Sequence, residues 1–208
     1  MKFYRHITPV WFRWLFPQVR ISGYDGTALY LTFDDGPAPG ITDDILQVLD
    51  RYRAKATFFC SGEQVQKHPG YPARYLDGGH KVGMHGYTHR DAWNTPQQEY
   101  LADIEKSRSL LQPYLHGEAP LFRPPYGRLT YSLYKRLREK YRIVLWKINS
   151  GDFDDGLDVE RSIELLRNAP PGSIILFHDG AGSSVHTLRM LEDLLPYWKS
   201  LGYKFDVL

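Results

Sequence analysis

Two adjacent aspartates, Asp34 and Asp35, end an apolar run in the segment "LYLTFDDGPAPG" and are followed at once by Gly36 and Pro37. Asp, Gly and Pro all favour turns, so a plain turn is one interpretation. Paired carboxylates at a strand end can also bind a metal ion and transfer a proton. Because successive strand residues face opposite ways, one carboxylate can reach a metal while the other reaches a water molecule.

Two histidines with a spacing of four, His85 and His89, lie in the segment "HGYTH". On a helix, or in a tight turn after a strand, this spacing lets both imidazoles face one point. Two histidines and one carboxylate form a catalytic zinc set in which the fourth position stays open for water. A bare pair of this kind is more often two unrelated histidines, but Asp35 at a neighbouring strand end supplies the missing carboxylate.

Three further segments contain residues suited to acid–base chemistry. In "FRPPYG" two prolines make the loop rigid, so Arg123 could hold a carboxylate ionised and a backbone N–H near Tyr126 could face an oxyanion. His178 ends the run "LFHDG" and would be a sensible general acid near a metal and a base. Asp152 in "SGDFDDG" is close to a strand end and could orient His178. Rigid loops and structural polar residues are the alternative interpretations.

The composition indicates an ordinary soluble globular protein. The chain has 208 residues, of which 42% are hydrophobic and 24% charged. A formal net charge of +2, with scattered Lys and Arg, argues against nucleic acid or an acidic membrane as partner. Cys60 is the only cysteine, so an internal disulfide is excluded. The sequence indicates no oligomeric state.

The N-terminal segment "MKFYRHITPVWFRWLFPQ" is aromatic and basic. Arg13 interrupts its apolar stretch and no small-residue cleavage site follows, so it is a poor signal peptide and too short for a transmembrane span. We therefore expect residues 1–27 to pack on the domain through Trp11, Trp14 and Phe16, and the protein to be cytoplasmic. Shallow attachment to a membrane surface, with envelope association, is the alternative.

Strand-like and helix-like runs alternate along the chain in about seven units. The strand-like runs are "ALYLTF", "KATFFC", "KVGMH", "LFRPPYG", "RIVLWKI", "SIILF" and "YKFDVL". This alternation predicts a largely parallel sheet covered by helices, which either a barrel or a doubly wound open sheet would satisfy. No glycine-rich dinucleotide loop follows the first run, which removes one reason to prefer the open sheet.

Five of the predicted strand ends carry the candidate residues. Asp34 and Asp35 follow the first strand, His85 the third, Arg123 the fourth, Asp152 the fifth and His178 the sixth. The carboxyl ends of parallel strands converge on one rim, where α/β barrels place their active sites. The sequence therefore predicts one site built from distant segments.

The segments "TFDDGP", "HGYTH", "RPPYG", "SGDF" and "LFHDG", in this order, resemble the signature segments of the NodB-type polysaccharide deacetylases, carbohydrate esterase family 4. The similarity spans about residues 28–208, which we take as the catalytic domain. It implies a distorted (β/α) barrel with about seven parallel strands. It also implies metal-dependent hydrolysis of N-acetyl, less often O-acetyl, groups on an oligo- or polysaccharide.

The resemblance further implies roles for individual residues. Asp35, His85 and His89 would bind the metal, most commonly Zn²⁺, with Co²⁺ or Ni²⁺ as alternatives. Asp34 would be the general base and Arg123 would pair with it.

The remaining implied roles concern the acid and the substrate. His178 would be the general acid, and the Tyr126 backbone N–H, together with the metal, would stabilise the oxyanion. Leu176 would line a pocket for the acetyl methyl group, and Pro125 and Tyr126 would also contact the substrate.

Two segments depart from the family pattern. Gly86 stands where many members have Ser or Thr, and the loss of that hydroxyl is expected to loosen the metal-binding loop. In the fourth segment Asn149 replaces an aspartate and Phe153 replaces a tryptophan. Asn149 can accept a hydrogen bond from His178 but cannot favour its charged form. Either His178 is a weaker acid–base group here, or Asp152 takes the role of the missing aspartate.

Two other functions also fit the sequence. One is a metal-dependent deformylase or amidase that acts on a small N-acyl compound. The other is a glycan-binding or zinc-stabilised homologue without turnover, which the substitutions at Asn149 and Phe153 would favour.

Overall fold

Parallel β-strands form the framework of the protein in the computed structural model, which describes residues 12–180 and 184–208. In this part of the chain the strands are β1 (Ala28–Asp34), β2 (Ala56–Cys60), β3 (Lys81–Met84), β4 (Leu121–Phe122), β5 (Arg142–Ile143), β6 (Ile148–Asn149), β7 (Ile174–His178) and β8 (Lys204–Phe205). Seven of them pair in the order β5-β4-β3-β2-β1-β7-β6, and every pairing is parallel. The curled sheet of seven parallel strands confirms the predicted distorted barrel.

Helices connect the strands. They are α1 (Phe12–Leu15), α2 (Ile41–Arg51), α3 (Gly62–Lys67), α4 (Tyr71–Asp77), α5 (Gln97–Leu111), α6 (Tyr131–Leu137), α7 (Val159–Arg167) and α8 (Ser184–Ser200), with short 3₁₀ turns at Gln112–Tyr114 and Pro125–Gly127. Within the described ranges, none of these helices is both long and apolar enough to cross a membrane.

The central strand β1 is buried along its whole length, as expected for a parallel strand covered on both faces. Leu29, Leu31 and Phe33 belong to the large core between the sheet and the helices. Tyr30 belongs to a smaller apolar cluster on the opposite face, with Phe59 of β2. Because side chains alternate along a strand, Asp34 lies on the same face as Tyr30, at the end of that smaller cluster.

The prediction of a single strand "RIVLWKI" is wrong, because this run forms two separate strands. β5 pairs with β4, whereas β6 pairs with β7. Between them the amide of Leu145 donates to the carbonyl of Arg20 (2.8 Å) and the amide of Lys147 to the carbonyl of Ile174 (2.9 Å). The run thus changes hydrogen-bond partners as it crosses from one edge of the sheet to the other. The last two candidate segments therefore follow the sixth and seventh strands, not the fifth and sixth.

The expected packing of the N-terminal aromatic residues is wrong for Trp14. Its side chain is 84% exposed, whereas Phe16 packs edge-on against Tyr134 with 5.1 Å between ring centroids. Trp14 lies in α1, which ends at Leu15, and Phe16 follows directly after the helix and is the ring that faces the domain. Trp11 lies outside the described residues. The domain boundary at residue 28 stays a prediction.

The stacked phenylalanines behind the site give a test of the core. Phe33 is fully buried, and its ring stacks on Phe58 (5.0 Å) and Phe177 (5.7 Å). We expect Phe33→Ala to lower the free energy of unfolding by about 3–5 kcal/mol, because it removes buried surface and leaves a cavity. Urea denaturation measures the change, and the exposed Leu201→Ala is the control, with an expected effect within about 0.5 kcal/mol. A Phe33→Ala effect as small as the control's would contradict this packing.

Candidate active site

The pairing of β1 with β7 places two candidate residues side by side. Asp34 is the register partner of His178, and Thr32 is the partner of Leu176. Since partners in neighbouring strands point to the same face, all four side chains face the inside of the barrel. Leu176 is 2% exposed and lies one pair deeper than His178.

Arg123 holds Asp34 through a buried ion pair. Its Nη1 lies 2.7 Å from Asp34 Oδ1 and 2.9 Å from Thr32 Oγ1, and its Nη2 donates to the carbonyl of Leu145. Asp34 is 2% exposed and Arg123 is fully buried. Burial raises the pKa of Asp34, although the charge of Arg123 opposes this effect. The carboxylate is therefore a stronger base than an ordinary aspartate and has a fixed orientation.

Asp35, His85 and His89 form a cluster that suits a metal ion. One ligand atom from each lies within 4.8 Å of the others. Asp35 Oδ1 is 3.4 Å from Nε2 of His85 and 3.2 Å from Nε2 of His89. This oxygen is buried, and no hydrogen-bond partner reaches it from the described residues. Buried carboxylate oxygens normally have a partner, so the cluster has one unsatisfied atom at its centre.

The tautomer and charge of His85 indicate that a cation would satisfy the unpaired Oδ1 of Asp35. Its Nδ1 is 2.8 Å from the carbonyl of Arg123, so Nδ1 carries the hydrogen and Nε2 turns a lone pair toward Asp35. Burial lowers the pKa of His85 to about 3, so the ring is neutral. A lone pair and a carboxylate oxygen that face each other repel, and a divalent cation between them removes the repulsion. Two imidazoles and a carboxylate are ligands that Zn²⁺ accepts.

The second oxygen of Asp34 faces this cluster. Asp34 Oδ2 is 3.7 Å from Nε2 of His85. The two aspartates thus differ in position: Asp35 belongs to the ligand cluster, while Asp34 lies beside it and is tied to Arg123.

Unusual backbone conformations coincide with the candidate residues. Asp35, His89 and Tyr126 have φ angles of 77°, 55° and 59°. The left-handed region is uncommon for residues other than glycine and is enriched at functional sites. Tyr126 is 57% exposed, its neighbour Pro125 is buried, and its ring stands edge-on to His89 at 4.5 Å.

His178 is held by Asp152 through two contacts. Asp152 Oδ1 is 2.7 Å from His178 Nδ1, and Asp152 Oδ2 accepts from the backbone N–H of His178 and from the hydroxyl of Thr187. Burial lowers the pKa of His178, but the charge and hydrogen bond of Asp152, with the charges of Asp35 and Asp34, raise it to about 9. The imidazole is therefore protonated at neutral pH.

Of the two alternatives for the fourth segment, the geometry favours the one with Asp152. Asn149 Oδ1 accepts a hydrogen bond from the N–H of Gly151, which closes the turn that carries Asp152. Phe153 stands edge-on to His178 with 5.2 Å between ring centroids.

Asp103 of α5, which the sequence analysis missed, holds the loop that carries the two histidines. Its carboxylate accepts from the amides of Tyr87 (2.7 Å) and Thr88 (3.1 Å) and from the Thr88 hydroxyl. A Cβ on Gly86 would lie 3.0 Å from this carboxylate, in a backbone conformation with φ +76°. Asp103 therefore fixes the loop from α5, and Gly86 leaves room for the contact.

Asp179 was also missed, although it directly follows His178 in the segment "LFHDG". It is 1% exposed and accepts hydrogen bonds from the N–H of Gly36 (3.0 Å), the hydroxyl of Thr42 (2.9 Å) and the hydroxyl of Tyr75 (3.2 Å). Burial raises its pKa to about 7. Asp179 thus fixes the turn that follows Asp34 and Asp35.

Comparisons with known proteins agree with the resemblance seen in the sequence. Residues 23–141 match the polysaccharide deacetylase family. A peptidoglycan-N-acetylglucosamine deacetylase of Bacillus cereus is 35% identical over 84% of this chain and 83% of its own length. A chitooligosaccharide deacetylase of Azorhizobium caulinodans is 28% identical over 88% of this chain and 93% of its own. The crystal structure of a peptidoglycan N-acetylglucosamine deacetylase superposes with a TM-score of 0.86 at 31% identity, covering 97% and 95% of the two chains.

The contact between Asp152 and His178 predicts a pKa change. We expect Asp152→Asn to lower the pKa of His178 from about 9, because the amide removes a charge that opposes the effect of burial and leaves only the charges of Asp35 and Asp34. NMR titration of the imidazole C–H signals measures this pKa. The exposed Asp155→Asn in the same loop is the control and should leave the value near 9. A pKa near 9 in both variants would show that Asp152 does not set the charge of His178.

The contact between Asp103 and the histidine loop predicts an effect on metal affinity. We expect Asp103→Ala to weaken zinc binding about 10–100-fold, the usual cost of losing a residue that orients metal ligands. Competition with a chromogenic chelator measures the affinity, and thermal unfolding shows whether the fold survives. The exposed Asp77→Ala is the control. Equal affinity in a folded Asp103→Ala protein would contradict the role of Asp103.

Proposed function

The chain belongs to the polysaccharide deacetylase family, and from that premise we propose that it removes N-acetyl groups from an oligo- or polysaccharide by metal-dependent hydrolysis. The observation that carries the proposal is the convergence of a base and an acid on one metal-ligand cluster. Asp34, held by Arg123, lies beside the cluster, and the register partner of Asp34 is the charged His178. A polar site without catalysis would not need a proton acceptor and a proton donor side by side.

Asp35, His85 and His89 would hold the metal ion, which we propose to be Zn²⁺; Co²⁺ and Ni²⁺ also accept imidazole ligands. A divalent ion held by these residues would supply Lewis-acid polarisation of the acyl carbonyl and would lower the pKa of the attacking water to about 7. The buried, unpaired oxygen of Asp35 and the neutral His85 support this assignment.

Asp34 would act as the general base. It accepts a proton from the attacking water while the water oxygen bonds to the acyl carbon. Its raised pKa strengthens it as a base, and Arg123 keeps it ionised and oriented. A positioned base contributes roughly 10²–10⁴-fold to the rate.

His178 would act as the general acid. It gives its proton to the departing nitrogen as the carbon–nitrogen bond breaks, which yields acetate and a free amine. Asp152 keeps the imidazole charged before this step and stabilises its orientation. The same groups would hydrolyse an O-acetyl ester, whose alkoxide also needs a proton.

The remaining predicted residues would position the acyl group. The Tyr126 backbone N–H would donate to the oxyanion of the tetrahedral intermediate. Leu176 and Pro125, both buried, would border the acetyl methyl group. We further propose that the acetylated unit is N-acetylglucosamine, because the names of the B. cereus and A. caulinodans relatives point to peptidoglycan N-acetylglucosamine and chitooligosaccharide.

Acetate release tests the proposal. The substrates are N-acetylglucosamine oligomers and O-acetylated xylan, each with added zinc and with a chelator. We expect zinc-dependent release from the oligomers, and a loss of at least about 100-fold in His85→Ala, since a metal supplies several kcal/mol of charge stabilisation. The exposed His116→Ala is the matched control and should retain activity.

Two outcomes would contradict the proposal. Release that continues unchanged in the chelator would rule out the metal. A protein that holds about one zinc per chain but releases acetate from none of these glycans would move the proposal to a small N-acyl substrate or to a binding protein.

A further inference from the structure

Exposed aromatic rings lie next to the active site. Trp93 is 62% exposed and Tyr126 is 57% exposed. The guanidinium of Arg128 lies between them, with its Cζ 4.7 Å from the centre of the Trp93 ring and 5.5 Å from that of Tyr126. We refer to Trp93, Arg128 and Tyr126 as the aromatic platform.

The platform is held in place before any ligand binds. The indole N–H of Trp93 donates to the carbonyl of Leu129 (3.3 Å), and its backbone N–H donates to Asp91 Oδ1 (3.0 Å). Asp91 Oδ2 accepts from Arg128 and from the Asn94 side chain. An exposed tryptophan fixed by this many contacts loses little conformational entropy on binding.

The platform is continuous with the metal-ligand cluster. The Tyr126 ring stands edge-on to His89 at 4.5 Å. Trp93 and Tyr126 lie on the loops that follow β3 and β4, which are neighbouring strands of the sheet. His178 lies at the end of β7, on the other side of Asp34. A ligand whose acyl group lies between Asp34 and His178 can therefore extend over Tyr126 toward Trp93.

The charges of the platform favour a neutral ligand. Arg128 is paired with Asp91, so its positive charge is already balanced by a carboxylate. A phosphate or carboxylate ligand would have to displace that pair, whereas sugar hydroxyls can bind the remaining N–H groups of the guanidinium. Trp and Tyr offer an apolar face with a polar edge, and the C–H face of a pyranose ring is complementary to such a surface.

We propose that the aromatic platform is a subsite for a second sugar ring of the substrate, stacked on Trp93. This inference rests on the proposed function, since it assumes that the acetylated ring lies at the active site. It commits the protein to an oligosaccharide or polymer and excludes a small N-acyl compound as its preferred substrate.

Chain-length kinetics test the subsite. We expect Trp93→Ala to raise KM for the N-acetylglucosamine hexamer about tenfold, the usual loss for a truncated aromatic anchor, with kcat unchanged. The rate of hydrolysis of 4-nitrophenyl acetate, which contains no sugar ring, should stay unchanged. Trp93→Tyr keeps an aromatic face and should stay within about threefold of the original protein. Trp14→Ala, which removes an exposed tryptophan far from the site residues in sequence, is the control.

Binding separates this inference from the proposed function. Titration calorimetry measures the affinity for the hexamer without turnover in Asp34→Asn and in the double variant Asp34→Asn/Trp93→Ala. We expect the double variant to bind the hexamer about tenfold more weakly. Loss of binding with Trp93→Ala in a protein that never releases acetate would support the subsite and overturn the deacetylase.

Acetate release from the hexamer at the same KM in the original protein and in Trp93→Ala would overturn the subsite but leave the deacetylase standing. An equal loss on the hexamer and on 4-nitrophenyl acetate would likewise overturn the subsite, because Trp93 would then act through the active site rather than on a second ring.

Discussion

The buried ion pair between Arg123 and Asp34 is the interaction on which the rest of the site depends. Arg123 follows β4, Asp34 ends β1, and the same guanidinium also donates to Leu145 in the segment that crosses between the two sheet edges. One side chain thus ties together three parts of the barrel at the rim. Removing one member of a fully buried pair leaves an uncompensated charge and costs about 3–5 kcal/mol. The position of the base is therefore coupled to the closure of the fold.

The interpretation of the two aspartates as a turn is correct for Asp35 alone, and their catalytic interpretation stays a proposal. Asp34 is still in the strand and faces the barrel interior, whereas Asp35, at φ 77°, already belongs to the turn. That turn rotates the second carboxylate toward His85 and His89, and Asp179 fixes it from the end of β7. In the proposed reaction this geometry lets one carboxylate accept a proton while its neighbour binds the metal.

Strand periodicity predicted a largely parallel sheet, and the strand ends predicted the convergence of the site, because both are local features. The barrel itself was implied only by the resemblance to the family. It did not predict contacts set by tertiary placement. Asp103 is one of several acidic residues with no local feature that distinguishes it, and its contact with Tyr87 depends on how α5 packs. The change of hydrogen-bond partners near Leu145 could not be predicted either, because the apolar run contains no residue that interrupts it. Asp179 had a signal, a charged residue at the end of a buried strand, which was overlooked beside His178.

The most direct test of the central claim, that Asp34 is the base and not a metal ligand, is zinc affinity and acetate release measured on the same Asp34→Asn protein. The amide keeps the size of the side chain, and thermal unfolding verifies the fold. We expect zinc affinity within about twofold of the original protein, and turnover lower by roughly 10²–10⁴-fold, as for loss of a general base. Loss of zinc together with turnover would make Asp34 a ligand, and near-normal turnover would exclude it as the base.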